Sequence, residues 1–435
     1  MNKAAKIFQE IPAIDRLRGR TLLIPRMSDE GATTFAAAFR SIGVAAMPVL
    51  PPNDRTLELG GRYTSGDECY PEKITLGDFL RGIEVLGADK VAFFMPTADG
   101  PCRFGQYAPY LRKVLRELGH EDVPVLAPTS TNSYDGIGQH AGELIRTSWR
   151  ALLAADIIRK LRLRYRPYEI HKGDADQATE DALAETCAVL ERRGIHQKQK
   201  LLELAAAMGR VAERFRAIRI RNERRPLIGV VGEIFCRLST FSNEEVIRKI
   251  EEHGGECWLS DIAEWVWYTN REQIRKLTEA GKKYTLTMLK ARLKNTIQQK
   301  EEHALYEPVR GLLKGREEPH SVAEILQRSL PYLPHYGTMG EMVLSVGKAV
   351  YLYEKGACGI AEISPFTCMN GIVCEAIYPR ISADHDGIPI RTFYFDGTQK
   401  SVDQDVGIFM ELAKNYMRKQ ARRQATRGRR ETETR

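Results

Sequence analysis

Eight cysteines are the residues of this chain best suited to chemistry, because a thiolate acts both as a nucleophile and as a ligand for soft metals. Three of them, Cys69, Cys102 and Cys368, each lie in a Gly- or Pro-containing loop directly before a predicted helix. A helix N-terminus favours negative charge, so three thiolates in this position suit an iron–sulfur cluster. A three-thiolate zinc site is the chemical alternative.

The other five cysteines have less favourable positions. Cys236 follows a predicted strand by a few residues and is a weak additional ligand candidate. Cys257 and Cys358 fall at the start of predicted strands, the wrong end of a parallel sheet for a ligand, while Cys187 and Cys374 fall within predicted helices. Burial as small apolar side chains accounts for these four.

Three polar residues follow Cys102 closely: Arg103, Gln106 and Tyr107. Their proximity to a predicted ligand makes them candidate contacts to a substrate or to the surroundings of the cluster. The alternative interpretation, as cap and core residues of the helix that begins there, is equally well supported by the sequence.

Several common motifs are absent from the sequence. It contains no C-x-x-C, no H-x-x-x-H and no H-E-x-x-H, which excludes a thioredoxin-type redox motif and a zincin site. No P-loop and no G-x-S-x-G is present either, and the glycines of residues 229–232 lack dinucleotide-binding spacing. The sequence therefore indicates no ATP-binding site.

The elements that position these residues alternate between short apolar runs and helical patterns, which is typical of parallel sheets covered on both faces. We expect an α/β protein with two Rossmann- or flavodoxin-like parallel-sheet domains, joined by a helical connector and carrying helical insertions. A polar loop is expected over 51–69 and a long helical insertion over 271–313. The predicted parts are an N-terminal domain at 1–138, a connector at 139–224, a C-terminal domain at 225–413 and a basic tail at 414–435.

Charge and hydropathy restrict the class of protein. Of the net charge of +8, the segment 414–435 supplies nine Lys or Arg against two Glu, or +7, so the rest is nearly neutral. Such a tail is typical of a solvated helix end; a nucleic-acid-associated protein is the alternative, and no nucleic-acid motif in the body favours it. No apolar stretch approaches eighteen residues and the start lacks a signal-peptide pattern, so we expect a soluble, cytoplasmic protein without a membrane partner or disulfides.

Six segments together carry a family resemblance: residues 66–71, 94–107, 128–133, 231–234, 241–243 and 365–369. They resemble the 2-hydroxyacyl-CoA dehydratase superfamily, and most closely its activase-related proteins, which are similar to the C-terminal portion of the large acyl-CoA dehydratase activases. The resemblance covers most of residues 20–400.

The resemblance implies a 4Fe-4S cluster between two α/β domains, held by cysteines from both and reduced by a separate ATP-dependent iron–sulfur activase. Cys69 and Cys102 match the family's N-terminal cysteine pair, and Cys368 matches its C-terminal cysteine. In the dehydratases of this family one low-potential electron forms a ketyl radical on a 2-hydroxyacyl-CoA and allows loss of water, a chemistry of anaerobic metabolism. A single cubane is favoured, because only Cys236 is a credible extra ligand.

Two interpretations of function remain open at this stage. The first is an iron–sulfur protein that receives electrons from an activase, as a homo- or heterodimer, and uses or relays them for reductive chemistry on an acyl-CoA. The second is a non-catalytic regulatory or scaffold protein associated with an activase and holding a structural cluster.

Overall fold

The computed structural model of the chain describes residues 14–98, 102–128, 138, 140–334, 340–398 and 402–433. The described residues form two compact units. The first takes those within Met1–Ile158, Glu180–Val211 and Gln298–Pro308, and the second takes those within Arg159–Thr179, Ala212–Ile297 and Val309–Arg435. Each unit contains one four-stranded parallel sheet, so the α/β class with two parallel-sheet domains is confirmed.

The sheet of the first unit has the strand order β2-β1-β3-β4, and all of its neighbours are parallel. Its strands are β1 (Thr21–Ile24), β2 (Ala46–Pro48), β3 (Val91–Phe94) and β4 (Val125–Leu126). Leu23 pairs with Met47 on one side and with Phe93 on the other. Strands β1, β3 and β4 are almost entirely apolar and buried, as expected where helices cover both faces of a parallel sheet, and β2 at the edge is half-buried.

Four helices connect these strands: α1 (Asp29–Arg40), α2 (Asp54–Arg62), α3 (Tyr70–Leu86) and α4 (Tyr107–Glu117). The prediction of a polar loop over 51–69 is wrong for the first half of that range, where α2 forms. Asn53 caps this helix, and the Asn53 and Thr56 side chains bond each other's backbone N–H groups in a capping box. This local signal outweighs the polar composition that favoured a loop.

The expected connector over 139–224 is mainly helical where it is described, with non-helical residues at 169–173, 191–196 and 217–224. It contains α5 (Ala141–Tyr165), a short 3-10 turn at Arg166–Tyr168, α6 (Asp174–Leu190) and α7 (Gln197–Arg216). Its composition of Ala, Leu, Glu, Arg and Lys gives the backbone few alternatives to a helix. The residues of α5, α6 and α7 divide between the two units.

The sheet of the second unit has the order β6-β5-β7-β8, the same arrangement as the first. Its strands are β5 (Leu227–Gly232), β6 (Glu256–Leu259), β7 (Gly359–Pro365) and β8 (Ile390–Phe395). Gly229 pairs with Trp258 of β6 and with Ile360 of β7, both in parallel register. A side chain at Gly229 would meet Leu352 at 2.6 Å, so this glycine allows a helix to approach the central strand.

The second unit has more helices than the first. They are α8 (Ile234–Leu238), α9 (Val246–Glu252), α10 (Ile262–Glu279), α11 (Leu286–Tyr306), α12 (Val322–Ser329), α13 (Gly340–Glu354), α14 (Met369–Asp384) and α15 (Val402–Glu433). The last turns of α11, from Gln298 onward, belong to the first unit. The insertion expected over 271–313 is two helices, α10 and α11, separated by a turn that contains Gly281 at φ +70°. Among the described helices, none is long and apolar enough to cross a bilayer.

Substitution of Gly77 tests the close approach of α2 and α3. A Cβ atom at Gly77 would lie 1.9 Å from the Thr56 carbonyl oxygen, whereas one at Gly61 has nothing within 4 Å. We expect Gly77→Ala to lower the free energy of unfolding by at least about 2 kcal/mol, because the backbone must move apart. Gly61→Ala is the matched control and should raise it by about 0.5 kcal/mol through the lower chain entropy of alanine. Urea denaturation measures both, and equal stabilities for the two variants would contradict the packing.

Candidate functional site

Strand order creates a corresponding crevice in each sheet. In the first sheet the chain passes from β1 to its neighbour β2 and then crosses back to β3 on the other side of β1, and β5, β6 and β7 repeat this order in the second sheet. Such a switch point leaves a crevice at the carboxyl ends of the two central strands, where α/β proteins bind ligands. Cys102 follows β3 and Cys368 follows β7, so each sheet places one predicted ligand after the same strand of its order.

The loop that carries Cys102 is fixed at both of its described ends. The Thr97 N–H donates to the Pro128 carbonyl at 3.1 Å, and the Thr97 hydroxyl donates to the Gly105 carbonyl at 2.9 Å. Cys102 is the N-cap of a 3-10 helix, Arg103–Gln106, that leads directly into α4, and it is exposed. The predicted position of Cys102 at a helix start is therefore confirmed.

Cys69 is the N-cap of α3, whose first turn contains Pro71. Its Sγ atom lies 2.6 Å from the hydroxyl oxygen of Tyr107, the first residue of α4, which is buried. The sequence placed Tyr107 near Cys102 only through their proximity in the chain. The structure instead brings its hydroxyl to the other predicted ligand of the same unit.

Glu72 is a buried carboxyl group beside this pair that the sequence analysis did not single out. Gln106 donates from Nε2 to Glu72 Oε2 at 3.3 Å. Burial raises the pKa of Glu72 to about 7, while the bond from Gln106 and the charge of the exposed Arg103 lower it. The sequence signal that points to Glu72 is its position in the first turn of α3, three residues after Cys69.

Cys368 is the N-cap of α14 and is half-buried. Its neighbour Thr367 has φ +65°, an unusual conformation for a residue with a side chain, and the Cys368 N–H donates to the Pro365 carbonyl at 3.1 Å. Burial and the charges of Glu233 and Glu341 raise the pKa of the Cys368 thiol to about 12, against the opposing effect of the helix N–H groups. Conversion of this thiol to a thiolate therefore requires a cation or another positive group nearby.

Two acidic side chains, Glu233 and Glu341, lie at the carboxyl end of β5. Glu233 caps α8 by accepting from the N–H groups of Phe235 and Cys236, at 2.9 and 2.7 Å. Glu341, at the start of α13, accepts from the Ile234 N–H at 3.0 Å and from the Asn370 side chain at 3.1 Å. Burial and the neighbouring Glu341 carboxylate raise the pKa of Glu233. These contacts tie three loops together next to Cys368.

The remaining five cysteines are all buried: Cys187, Cys236, Cys257, Cys358 and Cys374. The burial expected for four of them is confirmed, and Cys236, the weak extra candidate, lies within α8. Two of the three predicted ligands, Cys69 and Cys102, belong to the first unit and Cys368 belongs to the second. Over the part of the chain that the structure describes, no group of three or more His, Cys, Asp or Glu side chains is arranged to hold a metal ion.

No known protein-family model matches this chain, and no curated protein matches it significantly in sequence. The cysteines, their positions at helix starts and the polar groups around them are the features of the chain that bear on its function.

Glu72→Gln tests the buried carboxyl group through the pH dependence of stability. Burial raises the pKa of Glu72 from 4.5 when unfolded to about 7 when folded. The stabilisation from its bound proton is complete below pH 4.5 and is lost as the pH rises through 7. Between pH 4.5 and pH 7 we expect the free energy of unfolding of the wild type to fall by up to about 3 kcal/mol. Glu72→Gln has no proton to lose there and should not show this fall.

Denaturation in urea at several pH values measures this difference. Glu121→Gln, at an exposed carboxylate of the same unit, is the control and should follow the wild type. Parallel curves for wild type and Glu72→Gln would contradict a buried, protonated Glu72.

Proposed function

We propose that this chain is an iron–sulfur protein of the 2-hydroxyacyl-CoA dehydratase type, with Cys69, Cys102 and Cys368 as ligands of a 4Fe-4S cluster. A separate ATP-dependent activase would supply low-potential electrons, and the substrate would be an acyl-CoA. When bound, such a cluster supplies one-electron transfer at low potential. The sequence resemblance motivates this proposal, and the positions of the cysteines support it.

Accessibility is the observation that carries the proposal. Of the eight cysteines, the three proposed ligands are exposed or half-buried, and the other five are buried. Each of the three is also the N-cap of a helix, and none of them caps that helix with a side-chain hydrogen bond. Each of the three thiols therefore lies at the N-terminus of its own helix, a position that favours the negative charge of a thiolate or of a cluster.

The donor set fits an iron–sulfur cluster chemically. Thiolates are the usual ligands of such clusters, and a helix N-terminus stabilises the thiolate form. The raised pKa of Cys368 is caused by burial and by two neighbouring carboxylates, so the positive irons would replace a proton there. Burial raises the pKa values of Glu233 and Glu341, so these two side chains would lie near the ligand as a partly protonated acidic pair.

The residues around Cys69 have defined tasks in this proposal. Once Cys69 is a thiolate its sulfur has no proton, so the Tyr107 hydroxyl must be the donor across the 2.6 Å contact. Gln106, the last residue of the 3-10 helix that precedes Tyr107, donates to Glu72 and so fixes the orientation of its carboxyl group. Arg103, being exposed, remains available to an anionic group of a substrate. An acyl-CoA is anionic, and an exposed arginine side chain is suited to bind anionic groups.

Iron and acid-labile sulfide in anaerobically purified protein test the ligand assignment. We expect roughly four irons per chain in the wild type and a loss of most of them in Cys69→Ala, Cys102→Ala and Cys368→Ala, because a site of three thiolates does not tolerate the loss of one. Cys187→Ala and Cys358→Ala change a buried cysteine in each unit and are the matched controls. Full iron content in Cys102→Ala, or zinc in place of iron, would contradict the assignment.

A second experiment separates catalysis from a scaffold role. The protein is mixed with an activase, ATP, a reductant and a 2-hydroxyacyl-CoA, and loss of water from the thioester is followed. Substrate-dependent turnover that requires the activase supports the proposal. An intact cluster that an activase reduces without any turnover would favour the regulatory or scaffold role instead.

A further inference from the structure

The second unit presents an apolar, strongly basic surface at the turn between α10 and α11, which we call the hairpin surface. Its apolar members are Tyr284, Leu286, Leu289 and Leu293, whose exposed fractions are 94%, 66%, 63% and 57%. An exposed cluster of apolar side chains surrounded by polar ones is typical of an interaction site. The proposed iron–sulfur function makes no use of it.

The turn that carries this surface is ordered by local hydrogen bonds. The Lys282 N–H donates to the Leu277 carbonyl at 2.9 Å and the Gly281 N–H donates to the Thr278 carbonyl at 3.0 Å, the two bonds of a Schellman motif. Thr285 caps α11, since its hydroxyl accepts from the Met288 N–H at 3.3 Å. The leucines are thus held on a defined helix rather than on an irregular loop.

The three leucines form a narrow stripe along α11. Their spacing of three and then four residues places them within about 60° of one another around the helix. Met288 and Ala291, on the other side of α11, are buried. The helix therefore already has a packed face, and the leucine stripe is a second apolar face directed to solvent.

Charge on the hairpin surface has one sign. Residues 280–300 contain six Lys or Arg and no Asp or Glu. Lys290, Arg292 and Lys294 flank the stripe and are exposed. On α10, Glu272 and Glu279 both pair with Arg275, and residues 271–279 hold three Lys or Arg against these two Glu, so this stretch adds no net negative charge.

We propose that the hairpin surface binds an amphipathic helix of an acidic partner protein. A narrow stripe with this spacing is typical of a helix–helix seam, in which flanking charges choose the partner. Carboxylates on the partner helix would complement the flanking lysines and arginine. A second copy of this chain is disfavoured, because it would bring basic flanks together, and an interfacial membrane helix has a broader apolar face.

The test uses two synthetic helical peptides and the full-length protein. Both peptides carry leucines at the core positions of a heptad repeat; one has glutamates at the flanking positions and the other has lysines. We expect the acidic peptide to bind, with weaker binding at high salt, and the basic peptide not to bind. Isothermal titration calorimetry measures both.

Three variants connect that binding to the hairpin surface. Leu289→Gln/Leu293→Gln should weaken binding of the acidic peptide at least tenfold, and Lys290→Glu/Arg292→Glu should reverse the preference in favour of the basic peptide. Leu412→Gln is the matched control, because Leu412 lies on α15 and is 53% exposed. We expect this variant to bind the acidic peptide with unchanged affinity. All of these positions are exposed, so the fold should remain intact, and thermal melting checks this.

Three results would overturn the proposal. The first is an affinity for the acidic peptide that the hairpin variants do not change. The second is binding to vesicles that contain phosphatidylglycerol, lost in the leucine variant, without binding of the peptide, which would make the surface a membrane contact. The third is concentration-dependent dimerisation in sedimentation, lost in that same variant, which would assign the surface to a second copy.

Discussion

Parallel pairing of the first and third strands of each sheet is the constraint on which the proposed site depends. Leu23 pairs with Phe93 in one sheet and Val231 pairs with Glu362 in the other, so the strands end at the same edge. The loops that leave this edge carry Cys102 and Cys368 into helix N-termini. A shift in either register would move these loops and their cysteines relative to the central strand.

Sequence periodicity was sufficient for the coarse fold. Apolar runs such as Val91–Phe94 and Leu227–Gly232 are strands, and the positions of Cys69, Cys102 and Cys368 at helix starts followed from flanking Pro and Gly. The sequence pattern does not predict the helix Asp54–Arg62, because its residues are mainly charged and polar and its capping box has Thr56 at the position where Glu or Gln is usual.

Contacts between residues distant in the chain could not be predicted from one sequence. The hydroxyl of Tyr107 reaches Cys69 across 38 positions, and Glu341 meets Ile234 across 107. The same holds for the buried ion network of the second unit, where Lys160 bonds Asp261 and Glu318 at 2.6 and 2.7 Å. Such pairs are chosen by tertiary packing, because buried charges require partners and the order of elements in the fold supplies them.

Thiol protection would show whether Cys69, Cys102 and Cys368 hold iron. Anaerobically purified protein is treated with iodoacetamide before and after removal of iron by a chelator, and each cysteine is then quantified by mass spectrometry. We expect Cys69, Cys102 and Cys368 to be protected at first and to become labelled after chelation, while the labelling of the five buried cysteines does not change. Equal labelling of Cys102 in both samples, or a change at the buried cysteines instead, would contradict it.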